Sequence, residues 1–180
     1  MLDWIVIDEK YLDYLRSNVE SRIPRVNYGV DHYKPFFGVL FETDKFAYVT
    51  QVSHPQPRHN SLKASLDFIK VFIGSKLMCV VNLNYMFSIP KDKVQYLQYS
   101  NISSYRSFAN EKEKNNYIAL LKAEMSAMQG MKIEDKAKRV YSLKNTQPES
   151  SVAKRCFDFK NLESECSKYY GLDKAKEKQD

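Results

Sequence analysis

Residues 32–59, HYKPFFGVLFETDKFAYVTQVSHPQPRH, decide how this chain folds. Residues 36–41 (FFGVLF) and 46–52 (FAYVTQV) are rich in aromatic and β-branched side chains, and Glu42-Thr43-Asp44-Lys45 between them is a turn, so the stretch predicts a hairpin. An antiparallel pair leaves at the end at which it enters, which brings its two flanks together. Lys34 stands just before the first strand; Ser53, His54 and Arg58 stand just after the second. The three histidines of the chain, His32, His54 and His59, all fall within the stretch. Gly38 weakens its strand locally and predicts a bulge or a close approach of backbone.

On the N-terminal side, residues 4–7 (WIVI) read as a short strand, and Asp8 as the cap of a helix whose stripe is Tyr11, Leu12, Tyr14 and Leu15. Tyr11 stands where a capping box needs Glu or Gln, so the cap is half supported. Residues 17–32 form a polar loop with Pro24 and Gly29, of a length typical of functional or mobile loops. On the C-terminal side, residues 68–73 and 77–83 are strands around Gly74-Ser75, residues 84–90 (NYMFSIP) continue extended, and residues 94–99 make a sixth strand. Past residue 100 the periodicity becomes helical. Tyr117, Leu120, Leu121, Met125 and Met128 form a stripe ended by Gly130, and Ile133, Ala137, Val140 and Tyr141 form a second. A last helix covers residues 161–170, closed by Gly171, with Asp158 in its leading turn between two buried phenylalanines and a frayed charged tail behind it. The expected architecture is one α+β domain over residues 1–180. It has a strand-helix unit at 4–16, a twisted, mostly antiparallel six-stranded sheet curling into a partial barrel across 36–99, and helices from 101 to 170 packed on it.

Hydrophobic content of 43% and charged content of 28% belong to an ordinary globular chain, and no apolar run approaches the roughly 18 residues of a membrane span. MLDWIVIDEK lacks the basic lead and cleavage site of a signal peptide, which predicts a cytoplasmic protein with no membrane partner. Cys79, Cys156 and Cys166 make no CxxC pair and are expected as buried thiols. The net charge of +6 is concentrated: between Lys45 and Lys91, Asp67 is the sole acid against six bases. Such a field attracts a polyanion in a salt-dependent manner, although a solvated lysine-rich face gives the same census.

RNA cleavage without a metal needs a base for the 2′-hydroxyl, an acid for the departing 5′-oxygen and positive charge for the pentacovalent phosphate. Imidazole serves as either proton carrier, an ammonium supplies charge, and a serine hydroxyl supplies an oriented hydrogen bond. Lys34, Ser53 and His54 provide these parts as candidate catalytic residues. Arg58, His59 and Lys63 extend the patch for RNA binding, and Tyr28 and Tyr33, bordering the long loop, offer rings for stacking on an unpaired base. A metal site fits poorly, because His54 and His59 are five apart across Pro55 and Pro57 rather than at helical i, i+4 spacing. No metal and no small-molecule cofactor is therefore expected. A non-catalytic RNA-binding module would use the same basic face, and a protein-binding scaffold with incidental charge is the blandest alternative.

The order of parts resembles the ToxN/AbiQ family, endoribonuclease toxins of type III toxin-antitoxin and abortive-infection systems that act in phage defence. The likeness rests on YLDYL at 11–15, KPFFGVL at 34–40, YVTQVSHPQPRHNSLK at 48–63, VNLNYMFSIP at 81–90 and CFDFKNLESECSKY at 156–169, and so spans nearly the whole chain. It implies a metal-independent RNase that leaves a 2′,3′-cyclic phosphate and is built on an SH3-like, Kid/MazF-type barrel. It further implies mRNA as substrate, and inhibition by a small repeated antitoxin RNA, a pseudoknot that the toxin processes and then holds in a closed protein-RNA ring. The family's active-site lysine maps onto Lys34, and its Thr-Ser pair before proline maps onto Ser53 and His54, a departure from the pattern. Val30 takes the place of a family tyrosine, with Tyr28 and Tyr33 on either side.

Overall fold

The computed structural model describes residues 2–28 and 33–172; His32, Gly29, Val30 and the tail from residue 173 lie outside the described residues. The order of elements is β1 (Asp3–Val6), α1 (Glu9–Asn18), β2 (Phe36–Glu42), β3 (Phe46–Thr50), β4 (Val52–Ser53), α2 (Pro57–Ser61), β5 (Phe68–Ile73), β6 (Lys76–Asn82), β7 (Phe87–Pro90), β8 (Gln95–Tyr96), α3 (Glu111–Met128), α4 (Ile133–Thr146), α5 (Ser151–Arg155) and α6 (Phe159–Tyr170). The α+β class stands.

The single six-stranded sheet is corrected to two sheets: five strands in the order β7-β3-β2-β1-β8, curled and antiparallel throughout, and three in the order β4-β6-β5. Two runs that read as continuous in sequence pass from one sheet to the other. The run 46–52 breaks at Gln51, so that β3 pairs with β2 and β7 while β4 pairs with β6. The run 77–90 breaks at a 3-10 turn, Leu83–Tyr85, between β6 and β7. The two corners are joined where Thr50 Oγ1 donates to the Asn82 carbonyl at 2.9 Å. The expected strand at 94–99 shrinks to β8, followed by a 3-10 helix, Tyr99–Ser104. Residues 147–150 join α4 to the short helix α5.

Gly38 does both things expected of it. The β2–β3 register shifts between Phe37 and Phe41, and a Cβ at Gly38 would lie 2.8 Å from Val49 Cγ1 and 3.2 Å from the Tyr48 carbonyl oxygen. Asp8 caps α1 by accepting from the Lys10 N–H at 3.0 Å, the half-cap its sequence allows. Asp158 caps α6 in the same way, and Phe157 and Phe159 beside it are buried. One hydrophobic cluster runs from Trp4 to Cys166, and fully buried members such as Leu12, Leu15 and Phe36 each contribute about 1.5–3 kcal/mol. The three cysteines are free and buried within the fold.

The long loop after α1 is shorter and better anchored than its composition suggests. Helix α1 continues to Asn18, Ile23 and Val26 enter the core, the Arg16 guanidinium donates to the Pro24 carbonyl, and the Val26 N–H donates to Glu9. These ties deliver the chain to Lys34, whose N–H donates to the Val26 carbonyl at 2.8 Å.

Candidate active site

Gln51, at the corner between β3 and β4, is a buried amide with partners on three sides. Its Oε1 accepts from the Tyr28 hydroxyl at 2.7 Å, and its Nε2 donates to the Arg25 carbonyl at 2.8 Å and the Lys34 carbonyl at 3.4 Å. One side chain thus fastens the segment carrying Tyr28 and Lys34 to the strand carrying Ser53 and His54. The meeting of flanks expected from the hairpin is present, with this amide as its clasp.

Lys34 and His54 line a small pocket with Trp4, Val52, Tyr117 and Glu124. Alternation along the extended chain puts Val52 and His54 on one face and Ser53 on the other. Ser53 is half-buried and pairs with Val80 of β6, and it does not line this pocket. Lys34 Nζ lies 5.0 Å from the centre of the Tyr28 ring, in cation–π range, and Tyr28 is half exposed. Burial lowers the Lys34 pKa against the opposing pull of Glu124. His54 is exposed over 53% of its side chain and is held below its ordinary pKa, first by partial burial and then by the Lys34 cation.

Glu124 was absent from the sequence-predicted site. It sits on α3, is 4% exposed, and approaches His54 Nδ1 to 3.9 Å through Oε1. Burial pushes its carboxyl up to about 7, although the Lys34 cation works the other way. A signal for it existed: Tyr117, Leu121, Glu124 and Met128 share the core-facing phase of α3, and an acid in that phase is out of place.

Two expected RNA contacts are corrected. Tyr33 is 4% exposed, with its ring stacked on Tyr105 at 5.4 Å, so it is a core residue and cannot stack on a base. His59 is also 4% exposed; its Nδ1 accepts from the Gln56 N–H at 3.1 Å as part of a capping box on α2, and its ring packs edge-on against Phe68. A chain that enters a helical turn behind Pro55 and Pro57 uses this imidazole as a cap, which leaves His54, among the described residues, as the histidine facing outward. Arg58 and Lys63 are exposed. Lys63 borders a cavity of about 380 Å³ whose walls include Phe68, Asn82, Asn84 and the Asp67–Arg155 ion pair. Among the described residues no three His, Cys, Asp or Glu side chains converge, and no helix is long and apolar enough to cross a membrane.

Comparison with known proteins places the fold. A family model described as toxin ToxN of type III toxin-antitoxin systems matches residues 3–167. No curated protein matches the sequence. Solved structures that share the fold include the following three. One belongs to work on bacterial type III systems in which a non-coding RNA pseudoknot selectively inhibits the toxin (20% identity, 94% of this chain and 98% of that one covered, TM-score 0.69). Another is AbiQ, a lactococcal anti-phage endoribonuclease of a type III system (19% identity, 95% and 99% covered, TM-score 0.72). The third comes from a bacterial antiviral system regulated by a processed non-coding RNA (20% identity, 90% and 95% covered, TM-score 0.71).

Proposed function

The chain belongs to the ToxN family of type III toxin-antitoxin toxins, and from that premise we propose that it is a metal-independent, sequence-selective endoribonuclease that acts on mRNA in the cytoplasm. The observation that carries the reading is the meeting of Lys34 and His54, twenty positions apart, at one pocket fastened by Gln51. The curled sheet plays the part of the SH3-like, Kid/MazF-type barrel that supports such a site. No metal and no small-molecule cofactor takes part.

In this scheme His54 takes the proton from the 2′-hydroxyl. The freed oxygen attacks the adjacent phosphorus, the O2′–P bond forms, the P–O5′ bond breaks, and a 2′,3′-cyclic phosphate remains as the 5′-oxygen leaves with a proton drawn from water, while the proton held by His54 returns to the hydroxide so formed. The Lys34 ammonium balances the charge that builds on the phosphate oxygens. Ser53 acts from outside the pocket: paired with Val80, it holds the backbone that presents His54. An imidazole held below its ordinary pKa by burial and by Lys34 is neutral at physiological pH, the form a base requires. Tyr28, Arg58 and Lys63 bind flanking RNA. The partner that silences the toxin is a repeated antitoxin RNA, folded as a pseudoknot, which the toxin processes and holds in a closed ring.

The test combines growth with chemistry. Expressed alone, the protein arrests bacterial growth, and Lys34→Ala or His54→Ala relieves the arrest. Purified protein cleaves RNA in EDTA and fails when the 2′-hydroxyl at the cut site is replaced by hydrogen. Harmless expression together with intact RNA rejects the proposal; loss of cleavage on chelation rejects its metal-free chemistry. Short tandem repeats immediately upstream of the coding sequence are the expected source of the antitoxin.

A further inference from the structure

RNA cleavage by Lys34, Ser53 and His54 leaves Glu124 unused. Its Oε1 is shut away from solvent and has no hydrogen-bond partner. A buried polar atom without a partner is costly and calls for an explanation. The groups that face it come from four elements: Lys34 ahead of β2, His54 after β4, Cys79 on β6, and Tyr117 on α3 itself. Two of these are already committed. Burial pushes the Cys79 thiol up to about 12, which keeps it neutral, and the Tyr117 hydroxyl donates to the Tyr33 carbonyl at 2.8 Å. Lys34 contributes its charge, and His54 is the ring whose nitrogen stands 3.9 Å from the orphaned oxygen.

We propose that Glu124 is the positioning residue for His54: the buried carboxyl holds the Nδ1 edge of the imidazole, so that Nε2 is the nitrogen presented to the RNA. The inference rests on the reading of His54 as proton carrier. The geometry divides the ring between two environments, with Nδ1 toward a carboxyl that is 4% exposed and the side chain as a whole 53% exposed. Which ring nitrogen keeps its proton is set by the hydrogen bond made by the other edge. An ionised Glu124 favours the tautomer with hydrogen on Nδ1, leaving the Nε2 lone pair free to accept the 2′-hydroxyl proton. When the ring becomes charged, a movement of about 1 Å turns the 3.9 Å approach into a charge-assisted hydrogen bond. The same carboxyl balances the Lys34 cation when no phosphate is bound.

The experiment is nitrogen-resolved NMR of the His54 imidazole, recorded with the kinetics of Glu124→Gln and Glu124→Asp on a long mixed-sequence single-stranded RNA. In the wild type at pH 8, His54 carries hydrogen on Nδ1. In Glu124→Gln that preference is lost, the imidazole titrates at lower pH, kcat falls by about ten- to a hundred-fold, and KM moves less than about two-fold. Glu124→Asp, which keeps the charge, restores part of kcat. Circular dichroism melts confirm that the variants are folded. An Nε2–H tautomer in the wild type at pH 8 overturns the proposal, and so does a folded Glu124→Gln with unchanged kcat and unchanged His54 titration. The wild-type tautomer is read without RNA, so it decides the matter even if the variants fail to fold. A wild type that cleaves nothing rejects the nuclease reading, while the His54 tautomer still answers for Glu124.

Discussion

Glu124 trades stability for position. Free in an unfolded chain its carboxyl titrates near 4.5, and in the fold near 7. Below about 4.5 it is protonated in both states and costs nothing. As pH rises through 7 the unfolded chain has already lost the proton and the folded one must give it up in a buried place, so its contribution to stability is lost across that window. Glu124→Gln is therefore expected to stabilise the fold by about 1–3 kcal/mol at pH 8 and by nothing at pH 4, measured in urea titrations at the two pH values. An equal effect at both contradicts burial as the origin of the shift. At this scale the meeting of Lys34 and His54 at one pocket was legible because the hairpin that joins them is local. Tyr33 and His59 were misjudged for a shared reason: whether a ring near a loop faces water depends on a distant partner, here Tyr105 and Phe68.

The hairpin elements show where pattern reading stops. The alternation in residues 46–52 contains no breaker, so nothing local announces that the strand changes sheets at Gln51; the amide's partners, Tyr28, Arg25 and Lys34, lie elsewhere in the chain. Gln51→Ala removes all three hydrogen bonds and leaves two part-buried carbonyls short of a donor. A loss of about 1–3 kcal/mol in stability is expected, with faster amide exchange at Lys34 while Val71 and Val80 stay protected. Unchanged exchange at Lys34 speaks against the clasp. Gly38, by contrast, was readable, since an interior glycine in an aromatic strand has few other uses. Gly38→Ala forces a methyl against Val49 and the Tyr48 carbonyl, and about 1–3 kcal/mol of destabilisation is expected in denaturant melts. The long helices α3, α4 and α6 were the easiest elements, because their stripes and the stops at Gly130 and Gly171 are set within a turn or two of chain, whereas the short α2 and α5 carry no such stripe.

At the scale of the molecule the basic census acquires a location. Arg58 and Lys63 lie exposed on the connection that leaves the site, ahead of the cavity bordered by Phe68 and Asn82. RNA affinity is expected to fall as salt rises. Replacing Arg58 and Lys63 together with alanine is expected to flatten the plot of log K against log salt by about 1.4, near 0.7 for each phosphate of a single strand that is no longer neutralised. An unaltered slope with weaker binding removes these two from the phosphate path. The α+β class was accessible from the order of patterns, whereas the split into two sheets was not, because both crossing runs are continuous in sequence.

The small sheet has a consequence for how such a protein changes its target. Strands β4 and β5 pair with opposite edges of β6, so the peptide between them, residues 54–67, leaves one ladder of that strand and enters the other. Its middle is capped from within by His59, and its far end is held by Asp67, which Arg155 and Ser65 grip. It behaves as a cassette plugged into a fixed socket. On the proposed nuclease reading, residues 55–64 exchanged as a block with those of a relative are expected to leave both ladders closed and to carry with them whatever preference for RNA sequence the segment holds.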